Sequence, residues 1–431
     1  MPKSISANTK THGLWETTAP AAPETATLAA EIRTSVCIIG GGYTGNSAAL
    51  HLAKKGVASI VLEAKEIGFG GAGRNVGLVN AGMWVMPDEL PNVLGEVHGD
   101  RLLKLLGDAP SVVFEIVDQY RIECQLQKHG TLHCGVGQVG LEELQQRETQ
   151  WRLRGAPVRL LSAEETAEKV GSNAYTGALL DLRAGTIQPL AYVRGLAKAA
   201  LKEGATIYTG SPALEVTAEG AQWRVKTPQG SVIADWVIMA TDAYTSGPWE
   251  IIRREQVHLP YFNFATVPLP EDIRATILPG KEGVWDTKEV LSSFRMDIHG
   301  RLIFGSVGAL KGVGEAIHRD WALRALHKIF PQIGNVAFEA EWYGQIGMTD
   351  DNLPRFHKFA PNVIGISGYN GRGIAPGTVM GRTLAELIAG EKGEGDLPLP
   401  VTTPAEAKMR ALKEVFYEVG AQAAHLTDSR F

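Results

Sequence analysis

The chain is short of the features that mark extracellular, membrane-spanning or nucleic-acid-binding proteins. Its 431 residues include three cysteines, Cys37, Cys124 and Cys134, with no Cys-x-x-Cys pair among them. Three cannot make a disulfide framework, which implies a reducing compartment. No apolar run reaches the roughly 18 residues that a spanning helix needs. Residues 1–20 are polar and lack the apolar segment of a secretion signal. A cytoplasmic location without a membrane span is therefore expected. Lys and Arg number 42 against 47 Asp and Glu, a net charge of −5 with no basic stripe, so no nucleic acid partner is expected. Proline, at 22, is in ordinary supply, which argues against low-complexity disorder.

What the chain has in excess is glycine, 49 residues against about 30 for an average composition. The surplus has no three-residue period, so it is not collagen-like. A hydrophobic content of 44% supports a large core, and the length suits two or three domains. Residues 40–82 hold 11 glycines and residues 365–377 hold 5. Glycine gathers where backbone must press against a ligand or adopt positive φ.

Periodicity places these clusters on elements. An apolar strand is expected at 34–39, a helix at 43–55 and a second strand at 58–63, a βαβ opening. Residues 87–121 read as helical, 131–136 as a strand and 141–153 as a helix. Ser162 and Glu165 form a capping-box pattern, and Pro189 opens a helix through Lys202. Strands follow at 205–208, 213–217, 222–227 and 231–239, with a strand-rich stretch over 257–308. A helix at 315–329, strands at 337–346 and 363–367, and a final helix at 378–389 complete the pattern. Residues 1–33 read as an arm over the surface with Trp15 as an anchor.

Gly40-Gly41-Gly42-Tyr43-Thr44-Gly45 fits G-x-G-x-x-G between that first strand and helix, with Glu63 at the end of the next strand. In this context the pattern predicts a dinucleotide: glycines allow the turn and close approach of backbone N–H groups, the helix start favours the pyrophosphate, and Glu63 meets a ribose. Its negative charge disfavours a 2′-phosphate. A nicotinamide site has no need for a second cluster, Gly68 to Gly77, but a flavin-bearing dinucleotide could use it, with Arg74 and Asn75 as donors. A third cluster, Gly365 to Gly377, feeds a helix start where Arg372 would suit an electron-rich ring oxygen. Cys124, His129, His133 and Cys134 are metal-ligating types. His133 and Cys134 adjoin on a strand and point to opposite faces, so no metal is expected.

With these pieces in family order along nearly the whole length, the chain resembles the D-amino acid oxidase superfamily of FAD-dependent amine and amino acid oxidoreductases, most closely its gamma-glutamylputrescine oxidase-like branch. The matching segments are Leu14 to Pro20, Ile38 to Gly45, Leu62-Glu63-Ala64 with Gly68 to Gly77, Ile187-Gln188-Pro189, Ala240 to Tyr244, Gly347 to Pro354 and the C-terminal glycine loop.

The resemblance implies an α/β fold, mixed with α+β character: a discontinuous Rossmann-like FAD-binding domain (34–86, 176–245 and 350–431) with an inserted antiparallel-sheet substrate domain (87–175 and 246–349). It implies FAD contacts from Gly40, Gly42, Tyr43, Thr44, Gly45, Glu63, Ala64, Lys65, Gly71, Ala72, Gly73, Arg74, Asn75, Val76, Gly77, Val216, Ala240, Thr241, Tyr369, Asn370, Gly371, Arg372, Gly373 and Ile374. It also implies oxidation of a C–N bond by hydride transfer to the flavin, hydrolysis of the imine, and reoxidation by O2 or an electron carrier. Covalently flavinylated members use a cysteine near the C-terminus; none follows Cys134, so noncovalent FAD is implied. Arg372 stands where the family often has histidine, and Ile303 where some sarcosine oxidases have an oxygen-activating lysine.

Arg295, Arg372, Tyr261, His258 and Trp342 are the candidate substrate-site residues. For Arg295, a bidentate partner of a carboxylate and a surface ion pair are equally open. His258, Tyr261 and Asn263 share a strand face only in part, as Trp342 and Tyr343 do not share one. The partners expected are a small amine and O2 or a carrier, in a monomer or homodimer. Two alternatives remain: a dehydrogenase, motivated by Ile303, and a flavin-binding structural subunit that docks through Leu14 and Trp15. An NAD-dependent dehydrogenase leaves the second and third glycine clusters unexplained.

Overall fold

The βαβ opening forms as read: strand Glu31–Ile39, helix Tyr43–Lys54 and strand Ser59–Leu62, in a computed structural model that describes residues 12–427. Residues 1–11 of the expected arm and 428–431 of the expected cofactor domain lie outside the described residues. Along the first strand Val36 and Ile38 enter one core while Cys37 and Ile39 enter another, so both faces are covered. That explains its unbroken apolar run.

Among the described residues nine strands form a first sheet. Its centre is parallel, with Val363–Ser367, Ser231–Met239, Glu31–Ile39, Ser59–Leu62 and Thr206–Tyr208 side by side. Arg355–Ala360 pairs antiparallel with Val363–Ser367 and carries the short edge strand Val401–Thr402, and the hairpin Glu215–Glu219 with Gln222–Lys226 pairs with the first half of Ser231–Met239. Helices Tyr43–Lys54, Pro189–Lys202 and Ile374–Ile388 share one core.

Eight strands form a second, largely antiparallel sheet ordered 338–348, 257–266, 302–307, 292–296, 283–286, 131–135, 177–181 and 158–161. Its register sorts side chains cleanly. Tyr261 faces Val307, Asn263 faces Gly305 and Trp342, Arg295 faces Ile303, and Trp285 faces Ser293 and His133, all on one side. Phe262, Phe264, Phe294 and Phe304 take the other side, where helix Val313–Ile329 covers them through Trp321. Cross-strand partners share a face.

Several elements depart from the sequence reading. The expected helix over 87–121 is two, Glu89–Leu94 and Glu96–Tyr120, broken at Gly95, whose φ of 78° no helix can continue. Helix Ile374–Ile388 starts earlier than 378 and is not the last: Arg410–Thr427 follows and lies against the second sheet and helix Val313–Ile329. Strand Gly177–Asp181 pairs within the second sheet. Within the expected arm, residues 20–30 run without helix or strand and mostly exposed, but its first described part is anchored deeply. Leu14 and Trp15, in the short helix Leu14–Thr18, are 3% and 0% exposed and belong to the main core.

Candidate functional site

Between the carboxyl ends of the first sheet and one face of the second runs a cavity of about 650 Å³. This is where open α/β sheets bind ligands. One end is made of backbone. Gly40, Gly41 and Gly42 lead into helix Tyr43–Lys54, whose N-cap, Gly42, offers no side-chain cap, so its first N–H groups face the cavity. Gly40 has φ of 112° and its would-be Cβ lies 2.7 Å from the Ala240 oxygen. Gly45 is outside the cavity but closes the turn from beneath, since a Cβ there would overlap the Gly40 oxygen.

Glu63 Oε2 accepts from Gly41 N at 2.7 Å, and Oε1 from Lys65 N at 2.9 Å. Burial pushes its carboxyl above its ordinary value against the pull of these N–H donors. The second cluster folds across the same end. Tyr43 Oη donates to Ala72 O at 2.7 Å, Asn75 Nδ2 donates to Gly71 O at 2.9 Å, and Arg74 lies 4.7 Å over the Phe69 ring. Thr44 Oγ1 and the Tyr369 hydroxyl share a hydrogen bond of 2.6 Å, joining the first glycine turn to the last.

Of the residues expected to contact a cofactor, Gly40, Gly42, Tyr43, Thr44, Glu63, Ala64, Lys65, Gly71, Ala72, Arg74, Asn75, Val76, Ala240, Thr241, Tyr369, Asn370, Gly371, Arg372, Gly373 and Ile374 line the cavity. Gly45, Gly73, Gly77 and Val216 do not. Val216 belongs to the hairpin and packs on the far core.

The substrate-site expectations divide more sharply. Tyr261 lines the cavity, its hydroxyl bonded to Ser293 Oγ at 2.7 Å. Arg295, Trp342 and His258 do not line it. Arg295 is 1% exposed and donates from Nε to Val76 O at 2.7 Å, with its guanidinium 5.0 Å from the Trp15 ring. It is neither a surface ion pair nor a cavity-facing cation, because the loop over 74–77 lies between it and the cavity. Trp342 Nε1 and Asn263 Nδ2 both donate to Arg74 O, at 2.9 and 3.1 Å, and Trp15 Nε1 donates to Asn75 O at 2.9 Å. Three successive carbonyls of the loop are thus held from behind by four side chains. His258 turns to the last helix, with its backbone N–H donating to Glu414 at 3.1 Å.

Side chains build the far end, and several were not read from the sequence. The Arg372 guanidinium packs into the corner formed by Trp84 and Trp285, 4.4 and 4.5 Å from the centroids of two rings that meet edge to face at 5.1 Å. Its Nε and Nη2 have no hydrogen-bond partner. Trp84 Nε1 donates to Asn370 O at 2.6 Å, and His133 stacks on Trp285 at 3.4 Å. Arg147 and Glu143, 3.2 Å apart, line the same end. Burial first, then the Arg147 cation, disfavours the charge on Arg372. His133 is held well below its ordinary value by burial and by both arginines, so it is neutral. An arginine keeps its proton in nearly any setting, so an incoming anion relieves this arrangement. The only signal for Trp84 was an aromatic just past the glycine cluster; Trp285 carried none, standing in a run without helical or clear alternating pattern.

The family of FAD dependent oxidoreductases designated DAO matches residues 35–387. The chain belongs to that family. The DAO-family chain is 31% identical over 373 residues to gamma-glutamylputrescine oxidoreductase of Escherichia coli, covering 85% of this chain and 86% of the relative. It is 30% identical over 393 residues to the probable oxidoreductase OrdL of Haemophilus influenzae, covering 90% of each. Its fold matches glycine oxidase from Geobacillus kaustophilus with a TM-score of 0.68 at 19% identity, over 84% of this chain and 96% of that one. L-proline dehydrogenase from P. horikoshii matches with the same TM-score at 18% identity, over 85% and 97%.

The family is FAD dependent, and the backbone end of the cavity fits that group. Would-be Cβ atoms at Gly42 and Gly71 meet nothing closer than 3.8 Å, leaving the open cradle that a pyrophosphate requires beside an uncapped helix start. No helix among the described residues is long and apolar enough to cross a membrane.

Proposed function

We propose that the chain oxidises the C–N bond of a primary or secondary amine, or an N-substituted amino acid, whose carboxylate is received by Arg372. The observation that carries this reading is the unpartnered Nε and Nη2 of Arg372 in the same cavity as the dinucleotide cradle. Its 31% identical relative is by name an oxidoreductase of gamma-glutamylputrescine. FAD, held noncovalently, supplies a two-electron acceptor for the hydride on the carbon beside nitrogen. The imine left behind hydrolyses to a carbonyl compound.

The chain's own work is binding and orientation. Arg372, set in the corner of two indoles that keep water from it, fixes the anionic end. Tyr261, pinned by Ser293, forms part of the cavity wall on the second sheet. Neutral His133 adds no charge to repel a substrate ammonium, whose proton must leave before the hydride does.

We take O2 as the electron acceptor. A carrier is the second reading, favoured by the buried isoleucine at 303 where some relatives have lysine. Docking as a structural subunit through Leu14 and Trp15 is not favoured, since both are buried.

Purified protein is expected to be yellow and to bleach when the right amine is added without oxygen. A panel of simple amines, N-alkyl glycines and polyamine derivatives identifies the substrate. Colourless protein with no FAD in its acid extract sinks the proposal. One peroxide per amine consumed excludes a carrier.

A further inference from the structure

The helix Arg410–Thr427 is amphipathic with its sides reversed. Its charged residues turn to their own chain: Lys413 reaches Asp350 at 2.5 Å, Glu414 holds Arg410 at 3.1 Å, and Glu418 holds Lys311 at 3.2 Å. Ala421 and His425 are the buried contacts, and His425 Nδ1 lies 2.7 Å from His318 Nδ1. The apolar residues point outward. Met409, Leu412, Phe416, Val419 and Leu426 are 67, 59, 70, 58 and 61% exposed, and Ala423 lies in line with them. Isolated exposed apolar residues are ordinary; a continuous stripe marks an interaction surface.

We propose that this helix is the seam of a homodimer, two copies packing antiparallel about a two-fold axis that passes between residues 417 and 418. Within the helix the stripe of Leu412, Phe416, Val419, Ala423 and Leu426 falls at steps of four, three, four and three, the spacing of a heptad seam. Reversed against itself about that axis, it is complementary layer by layer. Leu412 meets the partner's Ala423 and Phe416 meets the partner's Val419, while Met409, just before the helix at φ 54°, extends the apolar face toward the partner's Leu426. Larger side chains meet smaller ones, and every layer recurs by symmetry, as an isologous interface requires.

Charge agrees, because Lys413, Glu414 and Glu418 are engaged within the chain and bring no like-charge pair across the axis. Size agrees as well. The exposed apolar side chains, with Val415 and Tyr417 flanking them, offer on the order of 700 Å² per copy, so that a pair buries about as much as a standard stable interface. Lipid is a poorer occupant, since a surface-lying helix presents lysine and arginine to the headgroups, and here Arg410 and Lys413 are turned away. Residues 1–11 and 428–431 contain only Met1, Ile5 and Phe431 as large apolar residues, too few to fill six layers.

Sedimentation velocity of the full-length holoprotein at micromolar concentration tests the seam. The expected result is a dimer that Phe416→Glu converts to monomer, weakening association by at least ~30-fold. The visible flavin spectrum and turnover should stay unchanged, since Phe416 touches neither the cavity nor the core. Val419→Lys should behave alike. Mixing Phe416→Cys with Val419→Cys under mild oxidation should give the mixed disulfide, with little cross-linking of either alone; Cys37, Cys124 and Cys134 are buried and silent. A monomeric wild type, a dimer indifferent to Phe416→Glu, or self-cross-linking of Phe416→Cys alone each overturns the proposal. So does a monomer that floats with phosphatidylglycerol vesicles, which would give the face to lipid.

Discussion

The two ends of the cavity are built by different means. Around Gly40 to Gly45 and Gly70 to Gly73 the surface is main chain, and side chains matter chiefly by being missing. Around Arg372 the surface is side chain: two indoles, an imidazole and two guanidinium groups brought from residues 84 to 372. Main-chain surface suits a constant ligand, because N–H groups and a helix start recognise any pyrophosphate. Side-chain surface suits a ligand that differs between relatives, because it changes one residue at a time.

The contrast predicts how each end fails. Gly45→Val should do the most damage, because the added Cβ overlaps the Gly40 oxygen and the turn cannot form. FAD affinity should fall by roughly a hundredfold or more, with a lower melting temperature, on the scale of a large core clash; normal FAD retention would refute the main-chain account. Arg372→Met should lower kcat/KM for a carboxylated amine by ~10- to 100-fold at unchanged FAD content, the range for losing a charged hydrogen bond of about 1.5–3 kcal/mol. Arg372→Lys should not rescue it, since an ammonium lacks the planar fork that packs on the indoles and meets a carboxylate with two hydrogen bonds.

Arg295→Met sharpens the comparison from the other side. Because Arg295 holds the Val76 carbonyl behind the cofactor loop, its loss should cost about 1–3 kcal/mol of stability and speed FAD release. KM should stay within about twofold. A raised KM at normal FAD affinity would move Arg295 into the substrate site. The smallest effect is expected at His133. Its ordinary value is 6.5, and burial with Arg147 and Arg372 lowers it well below that, so it stays neutral as pH falls through the usual histidine range. Its ionisation therefore adds no limb near pH 6.5 to the kcat/KM profile, and His133→Asn should leave the profile's shape unaltered. A limb that vanishes in this variant would show that His133 titrates.

Legibility in the sequence follows the same division. The glycine turns, the flanking βαβ unit and Glu63 obey local rules of spacing and conformation, so they were readable without contacts. Arg295 and Trp342 were read as substrate residues because residue type and position favoured it. What the sequence could not show was the loop passing between them and the cavity. Trp285 meets His133 through the register of the second sheet, while Trp84 arrives on the loop after the glycine cluster and Arg147 on helix Gly137–Leu153, and no short pattern encodes that convergence. The last helix, 410–427, was missed for a specific reason. Helix reading looks for an apolar stripe with polar residues opposite, and assumes the stripe faces the core. Here only Ala421 and His425 are buried, ion pairs of partly exposed side chains flank them, and the stripe faces out.

Trp15 and Trp342, separated by 327 positions, stand ring to ring at 5.3 Å, and both hold the loop over 74–76. During synthesis that loop emerges early, but one of its clamps is made only after three-quarters of the chain has left the ribosome. Translation proceeds at about 5–20 residues per second, so a nascent chain spends on the order of half a minute with its cofactor cradle unlatched. The clamp on that loop is therefore completed late, after the strand Phe338–Met348 has arrived.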